Sequence, residues 1–294
     1  MTPVSRSSVK YRSMTQSPTH SPLSRRSAVA VLVAVALALA GCADLQRRAP
    51  AGPVLPGGGT VPPAVTASDQ IWVALSTATP TLTARLVDQL GQVVVPEAIA
   101  RARATGRAVT LQIYATDEAT AGHADELAQT TFPRVTADTN TLVAQHETAA
   151  ASTQLFAQLE KALAGRPVAP AEDIVGALTL LADNASQIPD PQHHVLGVLL
   201  GDGLSSTNTC NTTLLPADNP QQVDAAAQEC LAGGQLILAG VPIWLDGLGL
   251  DPTGGQLTST QLDHAGEILR RIIERAGGRV CRAGPVLVPD PVGC

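Results

Sequence analysis

Six consecutive positions, Val195 to Leu200, are apolar or Gly and lead directly into Gly201-Asp202-Gly203. Such a run reads as a strand buried on both faces. An ionised carboxylate is not tolerated in its middle, so Asp202 belongs where the strand leaves the core. Similar runs occupy Ile71 to Leu75, Ala108 to Tyr114 and Gln235 to Leu245. Between them the period lengthens to that of a helix. Leu82, Leu86 and Leu90 recur at i+4 after Pro80, and Gly91 is expected to break that stripe. A second helical piece runs from Pro96 to Thr105, with Gly106 at its exit. Further stripes lie at Leu155, Phe156, Leu159 and Leu163, ending at Gly165, and from Pro170 to Ala185 with Ile174, Ala177, Leu178 and Leu181 on one face. Another helix is expected over Val223 to Leu231. The cleanest stripe is Leu262, Ala265, Leu269, Ile272, Ile273 and Ala276, with Thr260 placed to cap it, Asp263 three residues on, and Gly277-Gly278 as the stop. Residues 116–150 are acidic and Thr-rich and read as helix and loop.

Continuous apolar strands alternating with amphipathic helices predict an α/β domain over residues 68–278. Its central sheet is mostly parallel, doubly wound in the Rossmann manner, with helices on both faces. In such a sheet the carboxyl ends of the strands gather on one edge, with a crevice where the winding reverses. Ser76-Thr77-Ala78-Thr79, Asp202 and Asp246 each follow a strand, so they are expected near one another despite their separation in sequence. Residues 279–294, carrying Pro285, Pro289 and Pro291, read as an irregular tail.

The first 67 residues have a different character. Arg25-Arg26 precede thirteen apolar residues, Ala28 to Ala40, too few to span a hydrocarbon core. A charged segment, a short apolar stretch and small residues before a cleavage point describe an export signal over residues 1–41. Leu39-Ala40-Gly41-Cys42 is similar to the lipobox of bacterial lipoproteins. That resemblance implies a diacylglyceryl thioether on Cys42, cleavage before it and acylation of the new amino terminus. Acyl chains contributing about 0.8 kcal/mol per buried CH₂ hold a protein stably on a membrane when two or three are present. The expected location is the extracytoplasmic face of a cell membrane. Residues 42–67, rich in Pro, Gly and Ala, then read as a flexible tether.

An exported chain changes the reading of cysteine. Cys210, Cys230, Cys281 and Cys294 are even in number and lack close metal-ligand spacing, so two disulfides are expected. Of the three pairings, Cys210–Cys230 and Cys281–Cys294 close the shortest loops. A net charge of −6, without a basic run in the mature part and with 2% aromatics to stack bases, excludes nucleic acid as the expected partner.

Three strings, in order, carry a second resemblance: Glu172-Asp-Ile-Val-Gly-Ala-Leu178, Val195 through Leu-Leu-Gly-Asp-Gly-Leu204, and Gly240-Val-Pro-Ile-Trp-Leu-Asp-Gly-Leu-Gly249 followed by a long amphipathic helix. Together, over roughly residues 68–278, they resemble the von Willebrand factor type A (vWA) domain. That family often holds Mg²⁺ at the sheet edge through an Asp-x-Ser-x-Ser motif, a Thr before a central helix and a later Asp-Gly, an oxygen-rich set suited to a hard dication. Here the resemblance places Leu75 at the first acid, Thr77 and Thr79 at the serines, and Glu172, beside Asp173, at the Thr. Asp202 matches outright. The implied metal site of Thr77, Thr79, Glu172 and Asp202 has lost its first carboxylate and is expected to be degenerate, so no resident cofactor is expected, Mg²⁺ being the one candidate.

Each of these residues also has a purely structural role available. Asp202 between glycines makes a turn, Thr77 and Thr79 cap the following helix, and Asp246-Gly247 closes hydrogen bonds after a strand. His193 and His194 are adjacent, so in a strand they point to opposite faces and make a poor metal site. Gly203-Leu-Ser205-Ser206 lacks the nucleophile elbow, and no phosphate-binding Gly-rich loop follows the first strand. The expectation is a lipid-anchored, non-enzymatic binding or assembly domain facing another cell-envelope protein. Its rivals are a solute-binding lipoprotein, which requires a cleft between two lobes, and a hydrolase pairing Asp202 with His193 or His194.

Overall fold

The computed structural model describes residues 68–117, 125–167, 172–207, 210–212, 214–215, 219–250 and 258–285. The export signal, Cys42, the tether and Cys294 lie outside them. Six strands form one sheet: β1 (Asp69–Ser76), β2 (Val109–Thr116), β3 (Glu126–Phe132), β4 (Val195–Leu200), β5 (Pro242–Asp246) and β6 (Arg279–Gly284), in the spatial order β3-β2-β1-β4-β5-β6. All neighbours are parallel except β2 and β3. The expected mostly parallel, doubly wound α/β sheet is what forms.

The helices are α1 (Pro80–Gln89), α2 (Val95–Thr105), α3 (Thr141–Leu163), α4 (Ile174–Ala185), the short α5 (Pro191–His194), α6 (Pro220–Leu231) and α7 (Ser259–Arg275). The chain leaves β1 for β2 on one side and later returns to β4 on the other. Because crossovers keep one hand, this reversal puts the helices on opposite faces. On one face Ile71, Val73 and Leu75 of β1 and Leu111 and Ile113 of β2 pack against Leu86 and Leu90 of α1 and Leu155 and Leu159 of α3. On the other, Trp72, Leu199, Ile243 and Leu245 pack against Leu178 and Leu181 of α4, Val223 of α6 and Ile272 and Ile273 of α7. Every residue of β4 is buried, as a strand covered on both sides must be. Gly197 in its middle lets α4 approach: a Cβ there would stand 2.5 Å from Leu181 Cδ2.

Four local expectations are corrected. Gly91 does not end the first helix. A π turn, Leu90–Val94, carries it into α2, absorbing Pro96, which has no N–H to offer the preceding turn. Within 116–150, expected as helix and loop, lies β3, whose sequence Glu-Leu-Ala-Gln-Thr-Thr-Phe is half polar because one face and one edge meet solvent. The tail expectation fails for Arg279–Gly284, which pairs with β5 as an edge strand and sets the Arg282 guanidinium 3.9 Å over Trp244. The last helix is capped by Thr258, not Thr260: Thr258 and Gln261 form a capping box, each side chain accepting from the other's backbone N–H. Cys210 and Cys230 are disulfide-bonded across 20 residues, and Cys281 is also in disulfide form.

Candidate functional site

A doubly wound sheet has its crevice at the carboxyl ends of the strands flanking the switch point, here β1 and β4. The alternation of β1 sends Ile71, Val73 and Leu75 into one core, so Ser76, not Leu75, ends the strand toward the crevice. Ser76 lies opposite Thr116, the last residue of β2. Glu172, from the segment entering α4, reaches the same point, where its Oε1 accepts a hydrogen bond from the Ser76 hydroxyl. Its Oε2 lies beside Gly201, 3.4 Å from where a Cβ would stand. Asp202 follows directly and is 1% exposed.

The loop after β4 is stitched to the Glu172 segment. Ser206 N–H donates to the Glu172 carbonyl at 3.0 Å, and Glu172 N–H donates back to Ser206 Oγ at 3.1 Å. Ser205 N–H donates to Thr212 Oγ1 at 3.0 Å, and the Cys210–Cys230 bridge ties this loop to α6. Ser76, Thr116, Glu172, Asp202 and Ser205 are thus buried polar side chains at one end of an apolar sheet. Thr116 Oγ1 is buried with no hydrogen-bond partner. Such a group costs about 1–3 kcal/mol, which makes it a mark of use rather than of stability.

Electrostatics sharpen the picture. Burial, followed by the neighbouring Asp202 carboxylate, pushes the Glu172 carboxyl well above its ordinary value of 4.5, and the Ser76 hydrogen bond only partly opposes this. Two carboxyls in a dry setting do not both ionise easily, so the neighbouring Asp202 adds to the effect of burial on Glu172.

The sequence-derived candidates divide by role. Glu172 and Asp202 come together at the crevice. Thr77 donates to the Thr116 carbonyl at 3.4 Å, and Thr79 caps α1 by accepting from Leu82 N–H at 3.2 Å. Asp202 Oδ1 accepts from Leu204 N–H at 2.8 Å, making the turn its flanking glycines allow. The Asp246 carbonyl accepts from Gly201 N–H at 2.8 Å, and Gly247, at φ 92°, passes so close that a Cβ would stand 2.6 Å from the Gly201 oxygen. Asp173 caps α4 through Gly176 N–H. Thr79 Oγ1, Glu172 Oε1 and Asp202 Oδ1 thus accept from protein groups and Thr77 Oγ1 donates to one, an arrangement that does not fit an octahedral dication. Among the described residues no group of three His, Cys, Asp or Glu is arranged to hold a metal.

His193 and His194 sit in α5, ahead of β4, and Asp202 sits beyond its far end, so the strand separates them by roughly 20 Å at about 3.3 Å per residue. His193 pairs with Asp190 at 2.8 Å, and His194 with the buried Asp69 at 2.9 Å. Asp69 also holds Arg107 at 2.8 Å. An Asp202–imidazole pair is therefore excluded. Ser76, Thr116, Ser205 and Ser206 were not anticipated as a group. The signal for Ser76 was present in the odd-numbered burial of β1, whereas Thr116, Ser205 and Ser206 required the sheet register and the loop path.

The chain is similar to the solved structure of a von Willebrand factor type A protein from Catenulispora acidiphila, at 12% identity and a TM-score of 0.32, over 76% of this chain and 40% of that one. The chain thus spans less than half the length of that neighbour. No protein-family model matches. No curated protein matches either. The α/β assignment stands on the strand order and its parallel pairing.

Proposed function

We propose that this chain is a lipid-anchored, extracytoplasmic, non-enzymatic binding or assembly protein whose vWA-like domain meets its partner at the carboxyl edge of the sheet. The observation that carries the reading is the convergence of Ser76, Thr116, Glu172, Asp202 and Ser205 at the switch point, with Thr116 Oγ1 still lacking a partner. Polar groups buried there at a cost need a purpose, and a hydrogen-bonding partner group supplies one. In this reading the edge acts without a metal, because Thr79 Oγ1 and Asp202 Oδ1 already accept from the Leu82 and Leu204 N–H groups. Anchoring rests on Leu39-Ala40-Gly41-Cys42 and the tether after it. The described residues build one sheet with one continuous strand order, which gives the two-lobed solute-binding alternative no support.

The test combines location with edge mapping. Cys42→Ala is expected to move the protein from the membrane fraction to the soluble one and to abolish incorporation of labelled fatty acid. In the intact anchored protein, a photo-crosslinker at Thr79 or Thr207 is expected to yield a protein adduct, and one at Asp190, on the opposite edge, none. Equal adducts from both edges refute the assignment. Saturable calorimetric binding of Mg²⁺ or Mn²⁺ that disappears in Asp202→Ala refutes its metal-free form.

A further inference from the structure

The second surface lies away from the crevice, on the outer side of β3. This strand pairs with β2 alone, and its free edge runs beside α3 along an open groove of about 650 Å³. In an antiparallel ladder, bonded and non-bonded pairs alternate, so every second residue of the outer strand turns its N–H and C=O away from the sheet. Gln129 is one of these: its N–H donates not to β2 but to Gln158 Oε1 of α3, at 3.0 Å. Thr131, two residues on and exposed, shares that outward phase. The edge is therefore covered at Gln129 by one flexible side-chain amide, in the place a strand carbonyl would take.

The groove's chemistry selects among occupants. Glu126, whose Oε2 also accepts from the Tyr114 hydroxyl at 3.3 Å, and Glu147 lie on its walls with Gln129, Thr131, Gln154 and Gln158, and among the described residues neither Lys nor Arg lines it. Arg166, at the other end of α3, is engaged by Asp117 and Asp125 at 3.0 and 2.9 Å. A second copy pairing edge to edge would set these carboxylates against their own images, so the groove disfavours self-association.

We propose that the β3 edge binds an extended, basic segment of a partner protein by strand addition, its backbone replacing the Gln158 amide at Gln129 and its cations facing Glu126 and Glu147. The geometry is that of β-augmentation: main-chain bonds supply affinity, and the carboxylates on the walls supply the preference for cations. Release of Gln158 needs a rotamer change rather than a backbone movement, so the edge opens at small cost. This surface is independent of the carboxyl edge and stands or falls separately.

The test uses the full chain and fluorescein-labelled octapeptides alternating Lys with Thr or Glu with Thr. Anisotropy is expected to show saturable binding of the Lys peptide, about tenfold tighter than the Glu peptide and weakening with salt. Glu126→Gln with Glu147→Gln is expected to remove most of that preference. Thr131→Pro removes the outward N–H at an edge position where proline is tolerated, and is expected to abolish binding while circular dichroism stays unchanged. Should that variant misfold, a Lys peptide N-methylated at alternate residues decides the matter on the unmodified protein, because it keeps every charge and loses the pairing. Equal binding of the two peptides, no saturation, no effect of N-methylation, or dimerisation through this edge by light scattering overturns the proposal.

Discussion

Glu172 shows how one residue links the fold to solution conditions. Its carboxyl, desolvated and beside Asp202, holds its proton to higher pH than an unfolded chain would. A folded-state value above the unfolded one means that the folded state binds the extra proton as pH rises. The associated stability is complete below about 4.5 and is lost progressively as pH climbs through the folded value. Glu172→Gln keeps the shape and the acceptor for Ser76 while removing the titration. The expected outcome is a variant whose urea midpoint varies less with pH than the parent's above 4.5 and is higher than the parent's at alkaline pH. A parent that gains stability over that range relative to the variant contradicts the raised Glu172 carboxyl. Glu172 was legible in sequence as a polar residue before a helix, but its Ser76 partner was not. Placing Leu75 at the edge position ran against its burial, and a shift of one residue along a strand exchanges its two faces.

Elements were read best where a single periodicity governs them. The run Val195 to Leu200 is a strand over the expected residues, and α7 carries its expected apolar stripe with Ile268 added. Boundaries set by side-chain hydrogen bonds were harder to read, because Thr258 and Thr260 are both plausible caps and only Gln261 at the third position distinguishes them. The capping box makes a measurable contribution: Thr258→Ala is expected to destabilise the protein by about 1 kcal/mol, lowering the urea midpoint without changing its slope. Thr260→Ala is expected to have a much smaller effect. The strand β3 was illegible for a different reason. An edge strand wet on one face has too few apolar positions to announce itself, and Thr and Gln in its sequence suit a loop equally well.

For the molecule as a whole, alternation of greasy strands and amphipathic helices was enough to foresee the parallel sheet. The meeting of the segments after β1 and β4, at Ser76 and Asp202, followed from that topology, whereas Glu172, 96 residues from Ser76, was placed there by the resemblance alone. The loop bearing Asp202, Ser205 and Ser206 depends on a crosslink as well. Joining residues 20 apart, Cys210–Cys230 is expected to contribute about 3 kcal/mol in the chain-entropy model. Replacing both cysteines by Ser is expected to lower the unfolding midpoint accordingly and to speed amide exchange at Ser205 and Ser206 before that in β4. Unchanged exchange there would show that the loop is held by its hydrogen bonds alone. The strand order has a mechanical consequence too. The chain enters the sheet through β1, paired along its length with β2 on one side and β4 on the other. Tension arriving from upstream of Ser68 is borne by two flanking ladders sheared at once, whereas a chain entering at the margin would be peeled away one bond at a time.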